Sequence, residues 1–230
     1  MLSISVNTYQ QAPLDQEKPM LIFCSDDEAA YQHLKTATKQ SHTLIKKHVM
    51  LTAVQDTALG IVRTKAREAA DKLDAPVVIT ESALLMDAMG GFFPGPYIHQ
   101  FMKQPNALQK LVDIASKTNC TRALDQFVVG YCPGRGFEPV AFQCSTEGVI
   151  DSSDASIHSG NSLVRDDDDD SFEGDCATAY DPVTAILDEH NPRIRGNDWR
   201  SVFRADPRSE SKPTSSMARA IDSLLHYLQQ

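Results

Sequence analysis

The sequence predicts an α/β fold with two lobes around a central mixed sheet flanked by helices. Three observations lead to this prediction. Short apolar runs alternate with helical patterns in the first eighty residues, which is typical of βαβ units with parallel strands. Two segments rich in β-formers then follow around a Pro-Gly-Arg-Gly turn, which indicates a hairpin. The chain closes on an amphipathic segment that predicts a final helix.

The elements of the first half follow from local pattern. The polar segment 1–18 is predicted to be a flexible lead-in. Apolar runs predict the strands, and Asp26-Asp27 supplies a helix cap. The clearest helix of the chain is predicted by an apolar stripe, formed by Leu59, Val62, Ala66, Ala69 and Leu73. The predicted order is strand 20–25, helix 28–40, strand 48–54, helix 58–73 and strand 75–80.

The second half is predicted to contain one long insertion. Gly and Pro make 90–97 a loop, and two helices follow, 98–102 and 106–117, the second capped by Asn106. The hairpin strands are 123–132 and 137–150. The Ser/Asp-rich stretch at about 151–176 is predicted to be a disordered acidic insertion within a single domain spanning 19–230. A strand beginning at Tyr180, a polar loop over 188–214 and a helix capped by Ser215 or Ser216 complete the order.

Composition excludes several classes of protein. The net charge of −9 disfavours binding to nucleic acid. No run approaches the roughly 18 apolar residues of a membrane helix, and the N-terminus lacks a secretory pattern, so we expect a cytoplasmic protein. The five cysteines have no zinc spacing. The run Asp166–Asp170 is either a solvated loop or a surface for a cation or partner.

The segment 65–101, KAREAADKLDAPVVITESALLMDAMGGFFPGPYIHQF, resembles the inosine triphosphate pyrophosphatase (ITPase, Ham-like) family. That family has an acidic turn "E-D-[ST]-G-L" before "D-A-L-G-G-x-P-G-P-Y-I". Further matches lie at 21–26, 148–150, 178–182 and 215–220. The resemblance implies an ITPase-like fold, of the anticodon-binding-like or Maf type.

The resemblance also implies an activity: hydrolysis of non-canonical purine nucleoside triphosphates (ITP, dITP or XTP) to monophosphate and pyrophosphate, with Mg²⁺. It implies a homodimer or a subunit of a larger assembly. In this chain Glu81 and Ser82 take the catalytic positions, and Glu81 the metal position. The implied substrate-binding residues are Ser25, Asp26, Tyr180, Asp181, Lys212, Ser215 and Ser216.

Several positions differ from the family pattern. Asp26-Asp27-Glu28 stands where the family has a phosphate-binding Asn and Lys, and Ser215-Ser216-Met217 replaces Ser-His-Arg, whose donors read the purine 6-oxo group. Two hypotheses follow: a divergent pyrophosphatase with weakened activity, or a catalytically inactive relative that binds nucleotide or another protein. A third is an unrelated α/β binding domain with a similar loop.

Overall fold

The computed structural model describes residues 18–151, 198–207 and 215–230. The predicted lead-in, nearly all of the acidic insertion and the strand beginning at Tyr180 lie outside these residues. Five helices are described: α1 (Glu28–Thr38), α2 (Ala58–Leu73), α3 (Ile98–Met102), α4 (Ala107–Lys117) and α5 (Ser216–Leu228). The described strands are β1 (Met20–Phe23), β2 (Thr43–Lys46), β3 (Val77–Met86), β4 (Pro94–Gly95), β5 (Arg122–Cys132), β6 (Val140–Ile150) and β7 (Phe203–Ala205).

The strands form one mixed sheet, in the order β2-β1-β3-β5-β6-β7, with β4 paired to β3. β1 runs parallel to β2 and to β3. β4 is antiparallel to β3, and β7 is antiparallel to β6. The predicted class, an α/β fold with a mixed sheet flanked by helices, is therefore confirmed.

The chain divides into two compact units. Of the described residues, unit 1 contains 18–80, 129–142 and 220–230, and unit 2 contains 81–128, 143–151, 198–207 and 215–219. Strands β3, β5 and β6 each contribute residues to both units.

Helix α2 of unit 1 has the bounds that the apolar stripe predicts. Its N-cap is Thr57, whose hydroxyl accepts a hydrogen bond from the amide of Gly60 at 3.2 Å. The buried stripe includes Val62 and Ala66. The helix ends at Asp74, which adopts the left-handed conformation with φ of 50°. A local cap at each end and a buried face in between make this helix predictable from sequence.

The second strand of unit 1 is not where the sequence predicts it. Residues 48–54 were expected to form it because of their apolar run, but the structure places no strand there and builds β2 from Thr43–Lys46 instead. β2 pairs residue by residue with β1, from Met20 opposite Thr43 to Phe23 opposite Lys46. Its side chains are largely exposed, so β2 is defined by backbone pairing and lacks the buried pattern that prediction relies on.

Unit 2 has its own apolar core. The largest fully buried side chain in the described residues is Trp199, which packs in one cluster with residues of β3, α3, α4 and β6, among them Leu84, Met86, Ile98, Leu111 and Ile150. The helices predicted at 98–102 and 106–117 are confirmed as α3 and α4. Asn106 occupies the cap position of α4 without a capping hydrogen bond from its side chain.

Strand β3 is longer than predicted. It was expected to end at residue 80, where the polar pair Glu81-Ser82 begins, but it continues to Met86. The segment 90–97, predicted to be a loop, contains the two-residue strand β4, which pairs with Leu84 and Leu85. Because residues alternate between the faces of a strand, Ser82, Leu84 and Met86 share the core face and Glu81 lies on the opposite one.

The β6–β7 pair and α5 complete the described fold. Gly148, Val149 and Ile150 of β6 pair with Ala205, Arg204 and Phe203 of β7. A short 3₁₀ helix, Trp199–Ser201, precedes β7 and is capped by the Asp198 side chain, which accepts from the amide of Arg200 at 3.1 Å. In the described residues, no helix is both long and apolar enough to cross a membrane.

Candidate functional site

The carboxyl end of β1 carries two of the predicted substrate-binding residues. Ser25 is tied to β3: its hydroxyl accepts from the amide of Thr80 at 2.7 Å and donates to the carbonyl of Thr80 at 3.2 Å. Asp26 follows with a side chain that is 96% exposed, 3.9 Å from His48 Nδ1. Ligand sites of parallel sheets lie at the carboxyl ends of the strands. At this end of β1, Ser25 is fixed by its hydrogen bonds to β3, and Asp26 faces solvent.

The acidic residues after β1 are already engaged with the protein. Asp27 is the N-cap of α1, and its carboxylate accepts from the amide of Ala30 at 2.9 Å. Glu28 accepts from Lys46 Nζ at 2.8 Å, and this hydrogen bond lowers the pKa of Glu28. The carboxylates of Asp27 and Glu28 therefore each have a partner within unit 1.

Glu81 and Ser82 stand next to each other on β3 within unit 2. Glu81 is half-buried and Ser82 is fully buried. The Ser82 hydroxyl accepts a hydrogen bond from Nη2 of Arg200 at 3.2 Å, across 118 residues of sequence. The guanidinium of Arg200, in the 3₁₀ helix Trp199–Ser201, therefore contacts β3 at Ser82.

The guanidinium of Arg200 is held on several sides. It lies over the Trp199 ring, with Cζ 4.6 Å from the ring centroid. Nη1 is 3.6 Å from the Asp198 carboxylate. The Arg200 side chain nevertheless keeps 39% of its surface exposed to solvent.

A buried carboxyl group lies at the start of α5. Asp125 of β5 is 7% exposed, and its Oδ2 accepts from the hydroxyl of Ser216 at 2.8 Å. Its Oδ1 is also buried and has no hydrogen-bond partner among the described residues. Burial raises the pKa of Asp125, while the Ser216 hydroxyl and then the nearby Arg200 act to lower it.

The two serines of α5 have different roles. Ser215 is exposed and caps the helix, since its hydroxyl accepts from the amide of Ala218 at 3.2 Å. Ser216 is 1% exposed and directs its hydroxyl proton to Asp125. As long as that hydrogen bond holds, Ser216 has no proton to offer a purine carbonyl. Its predicted role in substrate binding stays a prediction.

The described residues supply few metal ligands. Nowhere in residues 18–151, 198–207 and 215–230 do three His, Cys, Asp or Glu side chains come together as a metal site would require. Mg²⁺ needs less than this in nucleotide enzymes, because one or two carboxylates suffice when waters and substrate phosphates complete the shell. Glu81 has a half-buried carboxylate of this kind, and the carboxylate of Asp125 is buried and bonded to Ser216.

Three predicted site residues, Tyr180, Asp181 and Lys212, lie outside the described residues. Sequence reasoning in turn missed Asp125 and Arg200. Two signals were present: an aspartate inside the apolar run of β5, and an arginine directly after the chain's single tryptophan. Neither signal specifies a partner, because the contacts link residues about a hundred positions apart.

Comparison with known proteins identifies the family of this chain. The model of the Ham1 family matches residues 21–160. An inosine triphosphate pyrophosphatase of Phaeosphaeria nodorum is 34% identical over 113 residues, which is 46% of this chain and 56% of that protein. One of Puccinia graminis f. sp. tritici is 38% identical over 107 residues, 45% of this chain and 53% of that protein. The chain thus spans about half the length of the curated relatives it matches.

Solved structures agree at the level of fold. The Ham1 protein of Staphylococcus aureus matches with a TM-score of 0.57 and 18% identity, over 91% of this chain and 97% of that one. A HAM1 protein of Coxiella burnetii gives a TM-score of 0.53 and 16% identity, over 58% of this chain and 73% of that one. The fold and the strand carrying Glu81 define an α/β protein of the ITPase-like class. The chain belongs to the Ham1 family.

Proposed function

We propose that this protein is a divergent nucleoside triphosphate pyrophosphatase that converts non-canonical purine nucleotides, such as ITP, dITP and XTP, to monophosphate and pyrophosphate. The observation that carries the proposal is Glu81, a half-buried carboxylate on β3 whose neighbour Ser82 is fixed by Arg200. Membership of the Ham1 family, and relatives named inosine triphosphate pyrophosphatase, support it.

The reaction requires water to attack the α-phosphorus while charge on the phosphate oxygens is stabilised. Glu81 is the group we assign to orient that water and accept its proton. Magnesium, with a Glu81 oxygen among its ligands, would neutralise phosphate charge when bound. Ser25 holds the end of β1 against β3, and Glu28 is paired with Lys46.

The engaged acidic residues favour binding of a triphosphate, which both an active enzyme and an inactive nucleotide-binding protein require. Asp27 is used as a helix cap and Glu28 is paired with Lys46. Of the three acids that replace the family's phosphate-binding residues, Asp26 and Glu28 keep largely exposed side chains, 96% and 59%, and the charge of Glu28 is paired with Lys46. We also propose a homodimer, in keeping with the resemblance, which sedimentation of the purified protein would test.

The deciding experiment is a pyrophosphate-release assay on ITP, dITP, XTP and ATP, with and without Mg²⁺. We expect one pyrophosphate and one monophosphate per turnover, and a Glu81→Gln variant slowed about a hundredfold or more, as for loss of a general base. Glu147→Gln, an exposed residue of β6 in the same unit, is the matched control and should retain the rate.

Two results would contradict the proposal. One is a background rate that Glu81→Gln does not lower. The other is release of orthophosphate and a nucleoside diphosphate, which would place the attack at the γ-phosphorus. Nucleotide binding without any turnover would instead favour the inactive, nucleotide-binding alternative.

A further inference from the structure

The outer edge of the sheet in unit 1 has no role in the proposed function. β2 stands at one end of the strand order, and among the described residues it pairs with β1 alone. The amides of Thr43 and Lys47 are bonded on the β1 side, the second to the carbonyl of Phe23 at 2.9 Å. Because successive residues of a strand turn their backbone groups to opposite edges, the amides of Leu44 and Lys46 point outward. They can donate to one further strand.

Exposed lysines lie at both ends of this edge. They are Lys18, Lys35, Lys39, Lys46 and Lys47. Before β2, the ammonium of Lys18 donates to the carbonyl of Lys39 at 2.7 Å. At the end of β2, Lys46 lies over the ring of Tyr31 together with Lys35, their Nζ atoms 5.7 and 5.6 Å from the ring centroid. The five lysines therefore form one basic patch along β2.

The basic patch carries excess positive charge. In the part of the chain that the structure describes, Lys46 alone of the five lysines forms an ion pair, with Glu28 at 2.8 Å. The patch is thus positive in a chain whose net charge is −9. A second copy of β2 is a poor partner for this edge, because pairing two such edges brings like charges face to face. The lysines favour a partner that carries carboxylates.

An extended segment of an acidic protein suits both the backbone edge and the basic patch. Its carbonyls would accept from the amides of Leu44 and Lys46, as in recognition by β-strand addition. Ile45, exposed between them, offers an apolar contact to the side chains on one face of the added strand. Nucleic acid would pair with the lysines but leave the backbone edge unpaired, and an acidic protein repels its phosphates.

We propose that the outer edge of β2 binds an extended acidic segment of another protein, which adds one strand to the sheet. Leu44 and Lys46 supply the backbone donors, and Lys39 and Lys47 pair with carboxylates at the two ends of the bound segment. The proposal does not depend on the nucleotide chemistry assigned to Glu81, so the failure of either one leaves the other standing.

The test follows amide hydrogen exchange of Leu44 and Lys46 in the full chain by NMR. The probe is the synthetic peptide acetyl-Glu-Asp-Val-Thr-Val-Asp-Glu-amide, and the same peptide with lysine at its acidic positions is the control. When the acidic peptide occupies about nine-tenths of the protein, we expect both amides to exchange about tenfold more slowly. The lysine peptide should leave their exchange unchanged.

Charge reversal tests the part played by the lysines. Lys39→Glu combined with Lys47→Glu should weaken binding of the acidic peptide about tenfold. The matched control is Lys110→Glu with Lys117→Glu, which reverses two exposed lysines of α4 in unit 2 and changes the net charge equally. It should bind the peptide as the wild type does. Binding by the wild type should also weaken as added salt screens the charges, a check that needs no variant to fold.

Four results would overturn the proposal. The acidic peptide could leave exchange of the Leu44 and Lys46 amides unchanged, or both peptides could bind equally well. Protection of these amides that grows with protein concentration, without peptide, would assign the edge to a second copy of the chain. Tighter binding of a single-stranded DNA oligonucleotide than of the acidic peptide would assign the lysines to phosphates.

Discussion

Replacing Ser216 by alanine tests the buried contact between α5 and β5. The substitution removes the hydroxyl that donates to Asp125 Oδ2 at 2.8 Å. Oδ1 already has no hydrogen-bond partner among the described residues, and Asp125 is only 7% exposed. A hydrogen bond to a charged group contributes about 1.5–3 kcal/mol. We therefore expect Ser216→Ala to lower the free energy of unfolding by about 1.5–3 kcal/mol near pH 8.

The loss should depend on pH in a defined direction. Burial raises the pKa of Asp125 in the folded state, so the stability linked to its proton is fully present below the unfolded value of about 3.9 and is lost as pH rises through the folded pKa. Without the Ser216 donor the folded pKa of Asp125 rises further. The free energy of unfolding of the variant should therefore be closest to that of the wild type in acid. There the substitution removes only a hydrogen bond to a neutral carboxyl group, which contributes about 0.5–1.5 kcal/mol.

Urea unfolding at several pH values between 4 and 8, followed by circular dichroism, would measure this. Ser215→Ala is the matched control, because Ser215 is exposed and its capping bond to the amide of Ala218 involves no titrating group. It should cost about 1 kcal/mol at every pH. A Ser216→Ala penalty that stays constant with pH, or falls below that of Ser215→Ala at pH 8, would refute the reasoning.

Three further predictions concern the rest of the chain. Gly148→Ala should destabilise the protein by about 1–3 kcal/mol, because a Cβ there would lie 2.4 Å from the backbone oxygen of Arg204. Faster amide hydrogen exchange in β7 would show this loss of stability, and exchange at the wild-type rate would contradict the prediction. Burial raises the pKa of Cys24 to about 11, so iodoacetamide at pH 8 should label its thiol more slowly than a free thiol peptide, as mass spectrometry can measure. Asp27→Ala should lower the free energy of unfolding by about 1 kcal/mol through loss of the α1 cap, whereas Asp26→Ala should change it by less than about 0.5 kcal/mol. Equal losses in thermal unfolding would contradict the role of Asp27 as the cap.

The sequence predicts the fold best where the signals are local. Helix α2 has a cap, a stripe and a left-handed end within residues 57–74, so its bounds can be predicted. The β5 and β6 pair follows from β-formers on both sides of a Gly-rich turn. β2 is different, because its position depends on backbone pairing with β1 and its exposed side chains carry no pattern. The apolar run after it misled the prediction.

The candidate site is only partly predictable for the same reason. Glu81 and Ser82 could be named as candidates from the sequence because they lie in a contiguous motif, and strand β3 carries both. The contacts of Ser82 with Arg200 and of Asp125 with Ser216 join residues 118 and 91 positions apart. A single sequence contains the residue types but not which distant side chain each one meets.

The alternation along β3 has a consequence for protein engineering. Glu81 and Ser82 are consecutive residues, but the strand sends them to opposite faces, and Arg200 contacts only the side chain on the Ser82 face. A substitution at residue 81 therefore changes one face of the sheet, and a substitution at residue 82 changes the other. A library built at residue 81 would vary that face alone, while the contact between Ser82 and Arg200 and the packing of Leu84 and Met86 are kept as they are.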